Sequence, residues 1–142
     1  MGPELPPELS IVVPLYNEAE SLPALVEQLL AALRPLGRSF ELVLVDDGSS
    51  DGTAAVLRQL AAQTPELVAV LLRRNYGQTP AMSAGFDASR GALIVTLDGD
   101  LQNDPADIPL LLEQLEQGYD LVSGWRHQRQ DPAIDRKSTR LN

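Results

Sequence analysis

The sequence predicts an α/β domain built on a mostly parallel sheet with helices on both faces. Three observations carry this prediction. Short apolar runs alternate along the chain with longer segments whose apolar residues recur at helical spacing, in the order βαβαβαβαβ. The runs are rich in Val, Ile and Leu, as buried strands require. A polar cluster, most often punctuated by glycine, follows each of the first four runs, and successive parallel strands bring such clusters to one rim of the sheet.

Residues 1–8, Met1-Gly2-Pro3-Glu4-Leu5-Pro6-Pro7-Glu8, read as a flexible leader. They are acidic and proline-rich, with no basic or apolar stretch of the kind a signal peptide carries. The domain spans residues 9–130. Leu9–Val13 forms its first strand, closed by Pro14, which has no N–H to give to a sheet ladder. The loop Leu15-Tyr16-Asn17-Glu18 follows. Ser21 before Leu22 and Pro23 marks a helix start, with Leu22, Leu25, Val26, Leu29, Leu30 and Leu33 on one stripe and a stop near Pro35-Leu36-Gly37. Phe40–Val45 is the second strand and runs into Asp46-Asp47-Gly48-Ser49-Ser50-Asp51-Gly52-Thr53. Val56, Leu57, Leu60 and Ala61 mark the second helix, which ends before Pro65.

Leu67–Leu72 is the third strand, followed by Arg73-Arg74-Asn75-Tyr76-Gly77-Gln78. A helix of small residues runs from about Pro80 to Ala88, where the alanines, Ser83 and Gly85 favour close packing on the sheet. Ala92–Leu97 is the fourth strand and delivers Asp98. Pro105 opens the fourth helix with Asn103 or Asp104 as its cap, Ile108, Leu111, Leu112 and Leu115 as its stripe and Gly118 as its stop. Leu121–Trp125 reads as a fifth strand, with Trp125 packing at its end.

Composition narrows the function. The chain has 142 residues, one domain's worth, and its 44% apolar content supports a core. It carries 20 acidic against 11 basic side chains, net −9. That balance excludes nucleic acid as the expected partner, because polyanion binding needs a basic patch, and it fits a site that recruits a cation. The absence of cysteine excludes a disulfide framework and a thiolate zinc site, and makes a reducing, cytosolic compartment the default. No apolar run is long enough to span a bilayer, so the chain is expected to be soluble.

The chemistry concentrates after the strands. Asp98, Asp100 and Gln102 offer two carboxylates and an amide oxygen, a hard ligand set suited to Mg²⁺ or Mn²⁺ bridging to a diphosphate; the other reading is a solvated Asp-Gly turn. Of Asp46 and Asp47, one is expected to accept a nucleobase N–H or ribose hydroxyl and the other to cap its own loop. Pro14, Tyr16 and Glu18 can form one side of a base-binding slot, with Tyr16 stacking, or an ordinary turn. Arg73 and Arg74 follow the third strand, where one guanidinium can reach a diphosphate. Arg126 and Arg129 suit a phosphorylated acceptor, and His127 between them reads as a surface imidazole. The chain lacks G-x-x-x-x-G-K-[ST], G-x-G-x-x-G after the first strand, G-x-S-x-G and H-E-x-x-H. A receiver domain is excluded because its acids follow the first strand and its phosphoacceptor the third, whereas here the acids follow the second and fourth. A sugar-nucleotide pyrophosphorylase would carry a glycine-rich, basic first loop.

Taken together, Val12-Val13-Pro14-Leu15-Tyr16-Asn17-Glu18, Val45–Thr53, Arg74-Asn75-Tyr76-Gly77-Gln78 and Leu97–Pro105 closely resemble the motifs of family 2 glycosyltransferases of the GT-A fold. The nearest branch is similar to the polyprenyl-phosphate glycosyltransferases, which include dolichyl-phosphate mannosyltransferase and the bacterial undecaprenyl-phosphate glucosyl and aminoarabinosyl enzymes. Arg-Asn-Tyr-Gly-Gln and Asp-Leu-Gln-Asn lean towards the bacterial group. The resemblance implies inverting transfer of a sugar from a nucleotide-diphosphate donor, UDP-sugar ahead of GDP-mannose, to a polyprenyl phosphate. A nucleotide-sugar-binding module without turnover is the alternative. It also implies that Asp98, Asp100 and Gln102 hold Mg²⁺ or Mn²⁺ against the donor diphosphate. Pro14, Tyr16 and Glu18 would line the base pocket, with Asp47 and Asp46 reading the base; the residues themselves, and not the resemblance, suggest Arg73 for the diphosphate. Asp98, Asp100, Arg126 and Arg129 would form the reacting end, the two arginines near the lipid phosphate.

Relatives of this branch continue into acceptor elements, amphipathic interface helices and transmembrane helices. The full-length protein is therefore expected at the cytoplasmic side of the cell membrane. Residues 131–142 read as a tail. Asp135-Arg136-Lys137-Ser138-Thr139-Arg140-Leu141-Asn142 matches the in-frame translation of a sequencing adapter, with a genuine basic tail as the alternative, and no function is assigned to it. The donor sugar and oligomeric state carry no signature.

Overall fold

Four apolar runs pair as parallel strands in a computed structural model that describes residues 5–97, 105 and 108–116. They are β1 (Leu9–Leu15), β2 (Phe40–Asp46), β3 (Leu67–Leu71) and β4 (Leu93–Thr96), in the spatial order β3-β2-β1-β4. The chain therefore steps outward from β1 to β3 and returns to the other side of β1 for β4. That reversal makes the crevice above β1 and β4 a topological switch point, where ligands of open α/β sheets bind. β1 and β2 align over their whole length, from Leu9 opposite Phe40 to Leu15 opposite Asp46.

The two faces are covered unequally. Leu9, Ile11, Val13 and Leu15 of β1 point to one face, where they pack with α1 (Leu22–Leu33), α2 (Thr53–Gln63) and α4 (Ile108–Glu116). Leu22, Leu25, Leu29, Leu33, Leu57, Ile108 and Leu112 close that layer, each nearly or fully buried. Val12, Val43, Val45 and Ile94 face the other side, where α3 (Gln78–Ala88) is the one helix among the described residues. The period-two alternation of the strands and the leucine stripe of α1 fix this division. Ala81 and Gly85, one turn apart, form the contact stripe of α3; a Cβ on Gly85 would lie 2.5 Å from Val12 Cγ1. Ser83, expected in that contact, is exposed, because position 83 falls on the opposite side of the helix.

Several expected boundaries shift for physical reasons. β1 continues through Pro14 to Leu15. The Asp47 amide donates to the Leu15 carbonyl and the Leu97 amide to the Val12 carbonyl. Alternation therefore turns the Pro14 nitrogen towards β4, whose pairing with β1 ends at Val12 and Thr96. Pro14 ends one ladder and leaves the other intact. Helix α3 begins at Gln78, two residues before Pro80, since the first-turn amides of a helix have no internal partner for proline to remove. Ser21 stands directly before α1 but does not cap it; its hydroxyl turns back 2.9 Å to the Glu18 carboxylate. A 3₁₀ turn, Arg34–Leu36, ends α1 at Gly37. The fifth strand at 121–125, the Asn103 or Asp104 cap, Gly118 and the side chains of Leu111 and Leu115 lie outside the described residues.

Candidate active site

The carboxyl ends of β1, β2 and β3 release three loops that meet. Loop 1 (16–21) and loop 2 (47–52) join through successive amides. The Asn17 amide donates to Ser49 Oγ (2.7 Å), Glu18 to Thr53 Oγ1 (2.9 Å) and Ala19 to Asp51 Oδ2 (3.2 Å). In return the Ser50 amide donates to Asn17 Oδ1 (2.9 Å). Loop 2 also grips loop 3 (72–77). Asp47 Oδ1 accepts the Tyr76 amide (2.9 Å), and Oδ2 accepts Asn75 Nδ2 (2.9 Å) and the Gly77 amide (3.0 Å). Gly48 permits this approach: at φ +68°, its missing Cβ would fall 2.0 Å from the Arg74 carbonyl carbon.

Between these loops lies a cavity of about 280 Å³, lined by Pro14, Leu15, Tyr16, Glu18, Asp47, Asn75, Gly77 and Gln78. Sites for whole drug-sized ligands run to roughly 300–1,000 Å³, so this space suits one end of a larger molecule. Its lining combines a half-exposed phenol, two carboxylates and two carboxamides, a set that can stack on a planar ring and hydrogen-bond its edge. Pro14, Tyr16, Glu18 and Asp47 are brought together here as expected. Asp46 is buried beside it and accepts the Ser49 amide at 3.3 Å, so it takes the loop-capping part of the expected division. Asp47 lines the cavity while its oxygens hold loop 3.

Arg73 and Arg74 are exposed on loop 3, outside the cavity lining. The Arg74 guanidinium lies 5.9 Å from the centre of the Tyr76 ring, a cation–π arrangement. Asp98, Asp100, Gln102, Arg126 and Arg129 lie outside the described residues. Among the described residues, no group of three or more His, Cys, Asp or Glu side chains is placed to hold a metal ion. The chain reaches Leu97 at the switch point, where its amide donates to the Val12 carbonyl.

Sequence reasoning missed the residues that build this rim: Asn17, Ser49, Asp51 and Thr53. Asn17 adopts φ +55°, and asparagine is enriched at left-handed positions, which was the available signal. Asp51 accepts the Thr53 hydroxyl and amide. That hydroxyl, with the Ala19 and Thr53 amides, holds the Asp51 carboxyl below the ordinary aspartate range.

Comparison with known proteins agrees with this architecture. Residues 10–141 match the model of glycosyl transferase family 2. The chain is 51% identical over 136 residues to an undecaprenyl-phosphate 4-deoxy-4-formamido-L-arabinose transferase of Photorhabdus laumondii, covering 94% of this chain and 42% of that protein. It is 52% identical over 134 residues to the enzyme of the same name from Pseudomonas aeruginosa, covering 94% and 40%. The chain thus spans about two-fifths of the length of the curated relatives it matches. Among solved structures it is similar to the mannosyltransferase PcManGT from Pyrobaculum calidifontis in complex with GDP-Man and Mn²⁺, with a TM-score of 0.54 and 29% identity over 68% of this chain and 28% of that one. Staphylococcus aureus TarS 1-349 in complex with UDP-GlcNAc shares the fold, with a TM-score of 0.64 and 22% identity over 78% of this chain and 31% of that one. The parallel sheet is that of the GT-A glycosyltransferases, and the chain belongs to glycosyl transferase family 2.

Proposed function

We propose that this chain carries the donor-binding half of a metal-dependent, inverting glycosyltransferase that moves a sugar from a UDP-sugar to a polyprenyl phosphate. The cavity enclosed by loops 1, 2 and 3 beside the switch point carries this reading. Tyr16 stacks on the base, and Glu18 with the carboxamides of Asn75 and Gln78 reads its edge or the ribose. Asp47 joins them through whatever acceptor capacity loop 3 leaves it. The lining is acidic, so the anionic diphosphate needs cations. Asp98, Asp100 and Gln102 hold Mg²⁺ or Mn²⁺, and Arg73 or Arg74 adds a guanidinium from loop 3. When bound, the divalent cation supplies Lewis-acid neutralisation of the departing nucleoside diphosphate. Arg126 and Arg129 hold the acceptor phosphate, which is already anionic and attacks the anomeric carbon from the opposite face without a strong general base. In this reading the full-length protein works at the membrane that holds the lipid acceptor, on its cytoplasmic side.

The undecaprenyl-phosphate transferases among the relatives support the acceptor, and the Mn²⁺ bound in the PcManGT complex supports the metal. Calorimetry with UDP and GDP, with and without Mn²⁺, followed by transfer to a polyprenyl phosphate, tests the reading. Mn²⁺-dependent UDP binding with transfer is expected. Binding without transfer identifies a nucleotide-sugar-binding module, and affinity unchanged in both Asp98→Ala and Asp100→Ala with Mn²⁺ present overturns the metal assignment.

A further inference from the structure

We infer that Asn17 and Asp51 are positioning residues that lock loop 1 in the shape the donor pocket needs, an inference that rests on the donor reading above. Three consecutive amides, those of Asn17, Glu18 and Ala19, all donate to side chains of loop 2 or the first residue of α2. Loop amides are commonly left to water; here each is taken by Ser49, Thr53 or Asp51, and the Ser50 amide closes the set on Asn17 Oδ1. Asn17 turns the chain through the left-handed region at φ +55°, so that its two neighbours, Tyr16 and Glu18, both line the cavity. An extended residue at 17 would carry Glu18 onward past the end of β1.

Asp51 anchors this turn to the core. One of its oxygens holds the amide and hydroxyl of Thr53, which is fully buried at the start of α2, and the other holds the Ala19 amide. Loop 1 is therefore referenced to α2 twice, at Ala19 through the Asp51 carboxylate and at Glu18 through the Thr53 hydroxyl that the same carboxylate orients. Neither Asn17 nor Asp51 lines the cavity, so each acts through Tyr16 and Glu18.

Amide hydrogen exchange at residues 17–19 and calorimetry with UDP and Mn²⁺, both on the whole chain, test the lock. Asn17→Ala and Asp51→Ala are expected to speed exchange at residues 17–19 at least tenfold and weaken UDP binding about tenfold, while exchange in β1 and β2 stays at the wild-type rate. Asn17→Gly, which reaches positive φ without strain, is expected to recover most of the affinity. A merely structural role would slow or speed exchange across the sheet and would not be rescued by glycine. Unchanged exchange at residues 17–19 in both alanine variants overturns the lock. Faster exchange with wild-type UDP affinity overturns the positioning role. Wild-type chain that protects residues 17–19 but binds no UDP overturns the donor reading, with the lock still decided by exchange.

Discussion

The two ends of β2 solve the same problem in opposite ways. At the amino end, Glu41 is buried and accepts the Ser10 hydroxyl (2.6 Å) and the Arg90 amide (2.7 Å), with the Arg90 guanidinium at 3.4 Å. Ser10 Oγ accepts the Gly91 amide (2.8 Å), and a Cβ on Gly91 would fall 2.6 Å from the Ser10 nitrogen. At the carboxyl end, Asp47 is equally buried, accepts three donors from loop 3, and needs Gly48 for the approach. Both rims thus pair a buried carboxylate with a glycine that admits a neighbouring backbone. The difference is charge and closure. Glu41 meets a cation, whereas the donors Asp47 receives among the described residues are neutral amides, and Asp47 borders the cavity. One end is a closed clasp; the other is a clasp that borders an open cavity lined by Glu18 and Asp47.

The largest effect that sharpens this contrast comes from removing the two carboxylates. Asp47→Ala strands three donors of loop 3, and a loss of about 3 kcal/mol in denaturant unfolding is expected together with loss of UDP binding. Glu41→Ala is expected to cost about 2 kcal/mol, because the half-exposed Arg90 can turn to water, and to leave UDP affinity unchanged. Loss of UDP affinity in Glu41→Ala would erase the distinction between the ends.

The glycines give the next effect. Gly48→Ala combines positive φ with overlap on the Arg74 backbone, so about 2 kcal/mol of destabilisation and weaker UDP binding are expected. Gly91→Ala overlaps Ser10 at ordinary φ, so melting should show a loss of stability and calorimetry no change in affinity.

The smallest effect is the pH dependence of Asp51. Its carboxyl titrates below the ordinary aspartate range when folded, so its contribution is present above the unfolded value and is lost as pH falls through the folded one, a window below about pH 4. Protection factors at residues 17–19, that is exchange corrected for the intrinsic pH dependence of the amides, should fall in that window in wild type and stay flat across it in Asp51→Asn.

Much of the fold was legible because it rests on short-range pattern. The apolar runs at 9–13, 40–45 and 67–71 and the stripe of Leu22, Leu25, Leu29 and Leu33 report their own periodicity. Pro14 misled because its effect depends on which neighbour its nitrogen faces, a property of the sheet and not of the residue. The candidate site was legible where residue type announces chemistry, as at Tyr16, Glu18 and Asp47. It was illegible where polar side chains serve other loops. Ser49, Asp51 and Thr53 sit roughly thirty residues from the amides they hold, and nothing local distinguishes them from ordinary loop residues.

By itself, then, the sequence determined the alternation of strands and helices, the acidic balance and the polar clusters at the strand ends, since each depends on residue type and spacing alone. The tertiary structure decided the order β3-β2-β1-β4, which sets β4 beside β1 and so brings Leu97 to the Val12 carbonyl at the switch point. It also decided that, among the described residues, the small-residue helix α3 covers one face and α1, α2 and α4 the other, and that Asp47 holds loop 3 while bordering the cavity. Those outcomes depend on pairings between residues far apart in the chain, and no local propensity encodes them.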